Sequence, residues 1–302
     1  MTKLLFFAVL ITSFQIHASI EMAITVDDLP RHGPISSGVT RMQITQDMLK
    51  TFKKHNVTEV YGFVNFKKVE EQPELLNTLV TWREAGYPLA NHTYSHLYLP
   101  DNSLERYLEE IKLNEPNLNR LNRENDWHWF RYPFLVEGET QERRDSIRKF
   151  LKEQNYKVAQ VTIDFGDWAF NEPYVRCKNK NDQANIQWLK KTYLRVAAKQ
   201  IHVMQELGFK IFKRKDIKHI LLLHIGEFGA LMLDDLLKVF EKESVKFISL
   251  AEASRDPIYL TNPNRLGRDG TSFLRQWAEV LKIPSPSYKK HPKRKTVDDL
   301  CK

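Results

Sequence analysis

The sequence predicts an α/β fold of parallel strands joined by crossover helices. Three observations carry that expectation. Short apolar runs alternate with amphipathic helical patterns along most of the chain. Many of the apolar runs are continuous rather than alternating, as strands covered on both faces are. Five of them end on unusual polar groups, and in parallel α/β folds those ends share one face. An open doubly wound sheet and a β/α barrel both satisfy this pattern.

The strand candidates are MAITV (22–26), EVYGFV (59–64), YPLA (87–90), HWFRY (128–132), KVAQVTI (157–163), HILLLH (219–224) and VKFISL (245–250). Between them, TQDMLKTFKKH (45–55) places Met48, Leu49 and Phe52 on one helical face. PELLNTLVTWREAG (73–86) opens on proline and closes on Gly86, a helix start and stop. SLERYLEEIKLNEPNLNRLN (103–122) is periodic, with a break expected at Pro116. TQERRDSIRKFLKEQN (140–155), a long segment over 185–208 and LDDLLKVFEKE (233–243) complete the helices, and KKHPKRKTVDDLCK at the C-terminus reads as an irregular tail.

With 302 residues, 42% of them hydrophobic, the chain can bury a substantial core. Its formal charge of +8 suits an acidic polymer as partner, or serves solubility alone. Nucleic acid is not expected, because the basic runs FKRKDIK and KKHPKRK lack interleaved aromatics. Nucleotide is not expected either, since no Gly-x-Gly-x-x-Gly follows a strand and no P-loop is present. Residues 1–18, MTKLLFFAVLITSFQIHA, have the layout of a secretory signal peptide, so the expectation is an exported protein, periplasmic or secreted, with no other transmembrane segment. Export would permit a disulfide between Cys177 and Cys301, the only two cysteines.

The chemistry sits at the strand ends. MAITV runs into Asp27 and Asp28, YPLA into Asn91, His92 and His96, and HWFRY into Pro133 and Phe134 with Arg131 inside it. KVAQVTI runs into Asp164, Asp167 and Trp168, and HILLLH ends on His224. The four-residue spacing of His92 and His96 fits one helical turn, which would aim both imidazoles the same way. Two histidines and a carboxylate form a common zinc or other first-row divalent metal set. Of the paired aspartates, one can bind metal while the other takes up a proton. His224 can act as general acid, with Asp167 fixing its orientation and raising its pKa.

TVDD (25–28), HTYSH (92–96), RYPF (131–134), DFGDW (164–168) and Ile220-x-Leu222-x-His224 resemble, in order and spacing, the five motifs of carbohydrate esterase family 4. These are the polysaccharide deacetylases with a NodB homology domain. The resemblance spans residues 22–224 and implies a distorted (β/α) barrel and metal-dependent removal of acetyl from an N-acetylated sugar. It implies Asp27 as general base, Asp28, His92 and His96 as metal ligands, and Arg131 as the partner that orients Asp27. It further implies an oxyanion contact from the Phe134 N–H, His224 as general acid supported by Asp167, and Trp168 lining the acetyl pocket. Two positions depart from the family pattern: Val26 in the first motif, and Phe134 where tyrosine is common.

The implied domain organisation is a signal peptide (1–18), a NodB-like catalytic domain (19–260) and a C-terminal extension with a basic tail (261–302). N-acetylglucosamine of peptidoglycan leads as substrate. Chitin oligosaccharides, acetyl-xylan and a non-catalytic carbohydrate-binding role are the alternatives. Asp164 is expected to cap its loop or to take a catalytic role, Trp82, Trp127 and Trp129 to be core, and Glu227 to be solvated rather than to reach substrate.

Overall fold

The computed structural model describes residues 19–122, 127–284 and 294–302. The expected signal peptide, residues 1–18, lies outside the described residues. Seven strands form one parallel sheet: β1 (Ile20–Leu29), β2 (Val60–Val64), β3 (Leu89–Asn91), β4 (Trp129–Phe130), β5 (Lys157–Val158), β6 (His219–His224) and β7 (Val245–Phe247). Their order is β5-β4-β3-β2-β1-β6, with β7 also pairing β1. Beyond β5 the chain crosses to the opposite edge, where Ile163 bridges Leu221 of β6. That bridge curls the sheet toward a barrel with short, irregular strands on one side, the distorted β/α barrel expected. β1 is buried along almost its whole length because both faces are covered: Met22, Ile24 and Val26 pack toward the helices, and Ala23 packs on the other side with Phe63 and Ala90.

The helices are α1 (Arg41–Lys54), α2 (Lys67–Glu71), α3 (Leu76–Glu84), α4 (Leu104–Leu121), α5 (Gln141–Glu153) and α6 (Asn171–Asn179). They continue with α7 (Gln183–Phe212), α8 (Glu227–Lys242), α9 (Leu250–Ala253), α10 (Phe273–Val280) and α11 (Arg294–Asp298). Thr40, Ser103 and Thr140 cap α1, α4 and α5 by accepting from the N–H three residues on. Met48, Leu49 and Phe52 on α1 are buried, and Phe52 meets Trp82 edge-on at 6.2 Å between centroids. Truncating Trp82, fully buried beneath β2, would cost roughly 3–5 kcal/mol.

Three local expectations fail for physical reasons. α4 runs unbroken through Pro116, because the proline lies on the solvent face while Tyr107, Ile111, Asn114 and Leu118 hold the other face in the core. The strand expected over 157–163 shortens to Lys157 and Val158, since its remainder pairs with the far edge of the sheet. The C-terminal tail is not irregular throughout: α11 packs Val297 into the core.

Candidate active site

The C-terminal ends of β1, β3, β4 and β6 meet around a pocket of about 350 Å³. Its first wall depends on an irregularity in β1. In a regular strand Asp27 and Asp28 would point to opposite faces. Here the register with β2 shifts between Val26 and Leu29, and Asp28 adopts φ +68°. The distortion brings both carboxylates to the lining of one pocket.

His92 and His96 converge on Asp28, but not from a helix. They lie on the loop after β3, where Thr93 and His96 have φ of +61° and +60°. Left-handed backbone at non-glycine residues costs of order 1–3 kcal/mol each and persists only where the surroundings enforce it. Asn65 is one enforcer, donating to the carbonyls of His92 (2.6 Å) and Thr93 (3.1 Å). Asn91 is another, accepting from the Thr93 N–H at 3.0 Å. Asn91 therefore shapes the turn. Tyr94 and Ser95 are scaffold, bonded to Glu70 and Glu110.

One donor atom from each of Asp28, His92 and His96 lies within 4.8 Å of the other two. The Nδ1 of His92 is 2.8 Å from the Arg131 carbonyl. A carbonyl only accepts, so Nδ1 carries the proton and Nε2 is left with its lone pair toward the cluster. Burial holds His92 well below the usual histidine range and brings His96 down to about 4, so both are neutral at pH 7. Burial pushes Asp28 up, but Lys68, His96 and His32 outweigh it and hold it ionised. Two neutral imidazoles and a carboxylate are the donor state a divalent cation requires, and the residues fit such an ion.

The other half of the pocket pairs a carboxylate with Arg131 and an imidazole with Asp167. Arg131, 1% exposed, sets Nη1 at 3.3 and 3.4 Å from the Asp27 carboxylate, while Nη2 donates to Thr25 and Nε to the Ala159 carbonyl. Its guanidinium lies 4.7 Å from the Phe63 ring centroid. Burial raises Asp27 to about 6 despite the opposing fields of Arg131 and His224. Across the pocket, Asp167 accepts from the His224 backbone N–H at 2.7 Å and sits 2.8 Å from its Nδ1. Burial pulls His224 down, but Asp167, with Asp28 and Asp27, more than offsets it and lifts His224 to about 9.

Phe134 and Trp168 line the remaining walls with Leu135, Leu222 and Gly270. Phe134 has φ +57°, is 53% exposed, and lays its ring 4.4 Å from that of His96. Gly270 is backed so closely against Phe134 that a Cβ there would fall 1.9 Å from the Phe134 carbonyl oxygen. Of the nine residues singled out above from the sequence, Asp27, Asp28, His92, His96, Phe134, Trp168 and His224 line the pocket, while Arg131 and Asp167 stand behind it and hold Asp27 and His224. Asp164 accepts from the Gly166 N–H, a loop-capping contact, and also lines the pocket.

Several residues were missed. His32 sits 2.8 Å from Asp28, and Lys68 donates to both the carboxylate and the carbonyl of Asp28. His32 had a signal, four residues beyond Asp28; Lys68, Asn65 and Gly270 had none. Glu227 is not solvated. It is 6% exposed and accepts from the N–H and hydroxyl of Ser36 and from Lys178. The reason is that α8 starts six residues earlier than its apolar pattern indicates, at Glu227 itself, which turns this carboxylate into the protein.

Known proteins resemble this chain in part of its sequence and in its fold. Residues 17–159 match the family model for polysaccharide deacetylase. A curated relative, the peptidoglycan-N-acetylglucosamine deacetylase of Bacillus cereus, is 29% identical over 149 residues, 49% of this chain and 46% of that protein. The chain therefore matches less than half the length of that relative. The crystal structure of a polysaccharide deacetylase from Bacillus cereus has TM-score 0.53 at 18% identity, covering 76% of this chain and 91% of that one. A carbohydrate esterase family 4 pseudoenzyme from Bacillus anthracis has TM-score 0.51 at 16% identity, covering 78% of this chain and 65% of that one. At such identities the structural likeness establishes the fold alone.

Proposed function

From the match of residues 17–159 to the polysaccharide deacetylase family, we propose that the chain is a metal-dependent hydrolase removing N-acetyl groups from a polysaccharide. Peptidoglycan N-acetylglucosamine is the substrate we favour, by analogy with the curated relative. The observation that carries the reading is one pocket holding a divalent-cation donor set between a carboxylate raised to about 6 and an imidazole raised to about 9.

In this reading Asp28, His92 and His96 hold the cation, zinc or another first-row divalent ion. Bound there, it supplies Lewis-acid polarisation and activation of water. Asp27, kept in place by Arg131, accepts a proton from the attacking water; its raised pKa makes it a stronger base at neutral pH. The backbone N–H of Phe134 donates to the oxyanion as the amide carbonyl becomes tetrahedral. His224, its Nδ1 engaged by Asp167, gives the Nε2 proton to the departing sugar nitrogen. The C–N bond breaks, releasing acetate and a free amine. Trp168 borders the acetyl group.

Residues 19–260 would form the catalytic domain and 261–302 an extension that completes the cleft through Gly270. We place the protein outside the cytoplasm, a location that the leader-like residues 1–18 and the Cys177–Cys301 disulfide support. Among the described residues no helix is long and apolar enough to cross a membrane.

The test is acetate release by the purified protein from peptidoglycan, N-acetylglucosamine oligomers and acetyl-xylan, with and without a chelator and added zinc. Release from peptidoglycan that stops with chelator and returns with zinc is expected. No release from any substrate would sink the enzyme reading, in favour of a non-catalytic carbohydrate binder. Chelator-insensitive release would sink the metal assignment.

A further inference from the structure

A second groove, of about 430 Å³, adjoins the catalytic pocket. That size lies within the ordinary range for small-molecule sites. The two cavities share His32 and Trp168, so a chain leaving the first across Trp168 enters the second. The floor is rigid. Asn171 donates to the Pro34 carbonyl at 2.8 Å and accepts from the Phe228 N–H at 3.0 Å. Gly33, at φ +57°, presses on the same side chain; a Cβ there would sit 2.7 Å from the Asn171 Nδ2.

The far wall comes from the chain's last nine residues, through Asp298 and Lys302. This wall is fastened from four sides. Cys301 is bonded to Cys177 of α6. Arg176 donates to the Leu300 carbonyl at 3.2 Å and the Asp298 carbonyl at 2.5 Å. Lys180 donates to Lys302 at 2.7 Å, and Val297 is buried. Among the described residues no strand of the sheet lies in this tail, yet four attachments hold it against α6 and the core. The charges lining the groove balance, Glu172 and Asp298 against Arg176 and Lys302, and Glu172 already pairs with Arg176. A neutral, hydroxyl-rich ligand suits such a lining better than a polyanion. Trp168 stands at the border the two cavities share, and an indole is a large apolar surface of the kind that packs against a sugar ring.

We propose that this groove is a second sugar subsite, taking the residue next to the one being deacetylated, with the disulfide-fastened tail as its outer wall. The proposal rests on the polysaccharide reading of the catalytic pocket. It predicts that affinity grows with oligomer length and that the growth depends on the tail. The test uses N-acetylglucosamine dimer and pentamer as probes, with binding measured by calorimetry in an Asp27→Asn background so that ligand is not consumed. The pentamer should bind about tenfold tighter than the dimer. Cys301→Ser, which frees the tail, and Glu172→Ala, which removes a hydrogen-bond acceptor from the lining, should each cut that ratio about threefold or more. Should Cys301→Ser fail to fold, Glu172→Ala still decides, because its side chain is 67% exposed and carries no core packing. A ratio near one before mutation, or one unchanged by the variants that fold, overturns the subsite. Binding is read without turnover, so failure of acetate release would overturn the enzyme reading while leaving this ratio interpretable.

Discussion

Two halves of one pocket treat the same side chain in opposite ways. On the Asp28 side, burial drives His92 and His96 down and keeps them neutral. On the Asp167 side, His224 is also buried, yet the adjacent carboxylate raises it to about 9. The halves also differ in backbone. The first rests on left-handed residues at Asp28, Thr93 and His96, whereas the second hangs from the regular strand β6. The lesson is that neither residue type nor burial alone sets the charge of these histidines; a directly hydrogen-bonded carboxylate does, present for His224 and absent for His92 and His96. Groups whose environments push their pKa values apart are the basis for the proposed division between metal ligands and acid–base pair.

The sharpest way to break the division is to remove one function and look for the other. Asp27→Asn should lower kcat for acetate release by roughly 10²–10⁴-fold, the range for a lost general base. Metal content, read by atomic absorption, should stay near one ion per chain in that variant. His96→Ala should instead lose both metal and activity. Metal loss from the Asp27 variant would show that the two aspartates have exchanged roles.

A smaller effect probes the acid side alone. His224 must be protonated to donate, so activity should fall as pH rises through its raised pKa, near 9. Asp167→Asn removes the carboxylate that causes the upward shift, so the alkaline limb of the kcat profile should move to lower pH. An unmoved limb in the variant would mean that another group sets it. On the metal side, Asn65→Ala deletes two hydrogen bonds that hold the left-handed loop. It should weaken zinc affinity by roughly tenfold or more, the scale of supporting interactions around a metal site, and leave the alkaline limb in place.

The two halves were not equally legible in the sequence. Asp27, Asp28, His92, His96 and His224 stand at the ends of apolar runs, and the alternation of runs and helical patterns is enough to put those ends on one face. What the order of residues could not convey is how they converge. The four-residue spacing of His92 and His96 invited a helix, while the structure brings them together through a strained loop. That loop is stabilised by Asn65, on a different strand end, and Asn114, on α4. Such contacts depend on three-dimensional packing and leave no periodicity behind. Glu227 was misread for a related reason: an apolar pattern locates the middle of α8, whereas the first turn of that helix is fixed by its bonds to Ser36 and Lys178.

The smallest expected effect concerns Phe134, which touches both halves. Its ring lies against His96, while its N–H is assigned to the oxyanion. If the N–H alone serves chemistry, the ring is replaceable by any side chain that keeps the packing and tolerates φ +57°. Phe134→Tyr adds a hydroxyl to a ring already half in solvent, so neither the edge contact with His96 nor the backbone needs to change. The variant should therefore keep kcat/KM on N-acetylglucosamine oligomers within about threefold of the parent, a difference under about 1 kcal/mol. A gain of tenfold or more, carried by KM, would show that the missing hydroxyl is a substrate contact this chain lacks. A comparable loss, carried by kcat, would show that the ring tunes the metal side and that the two halves are more tightly coupled than their opposite electrostatics implies.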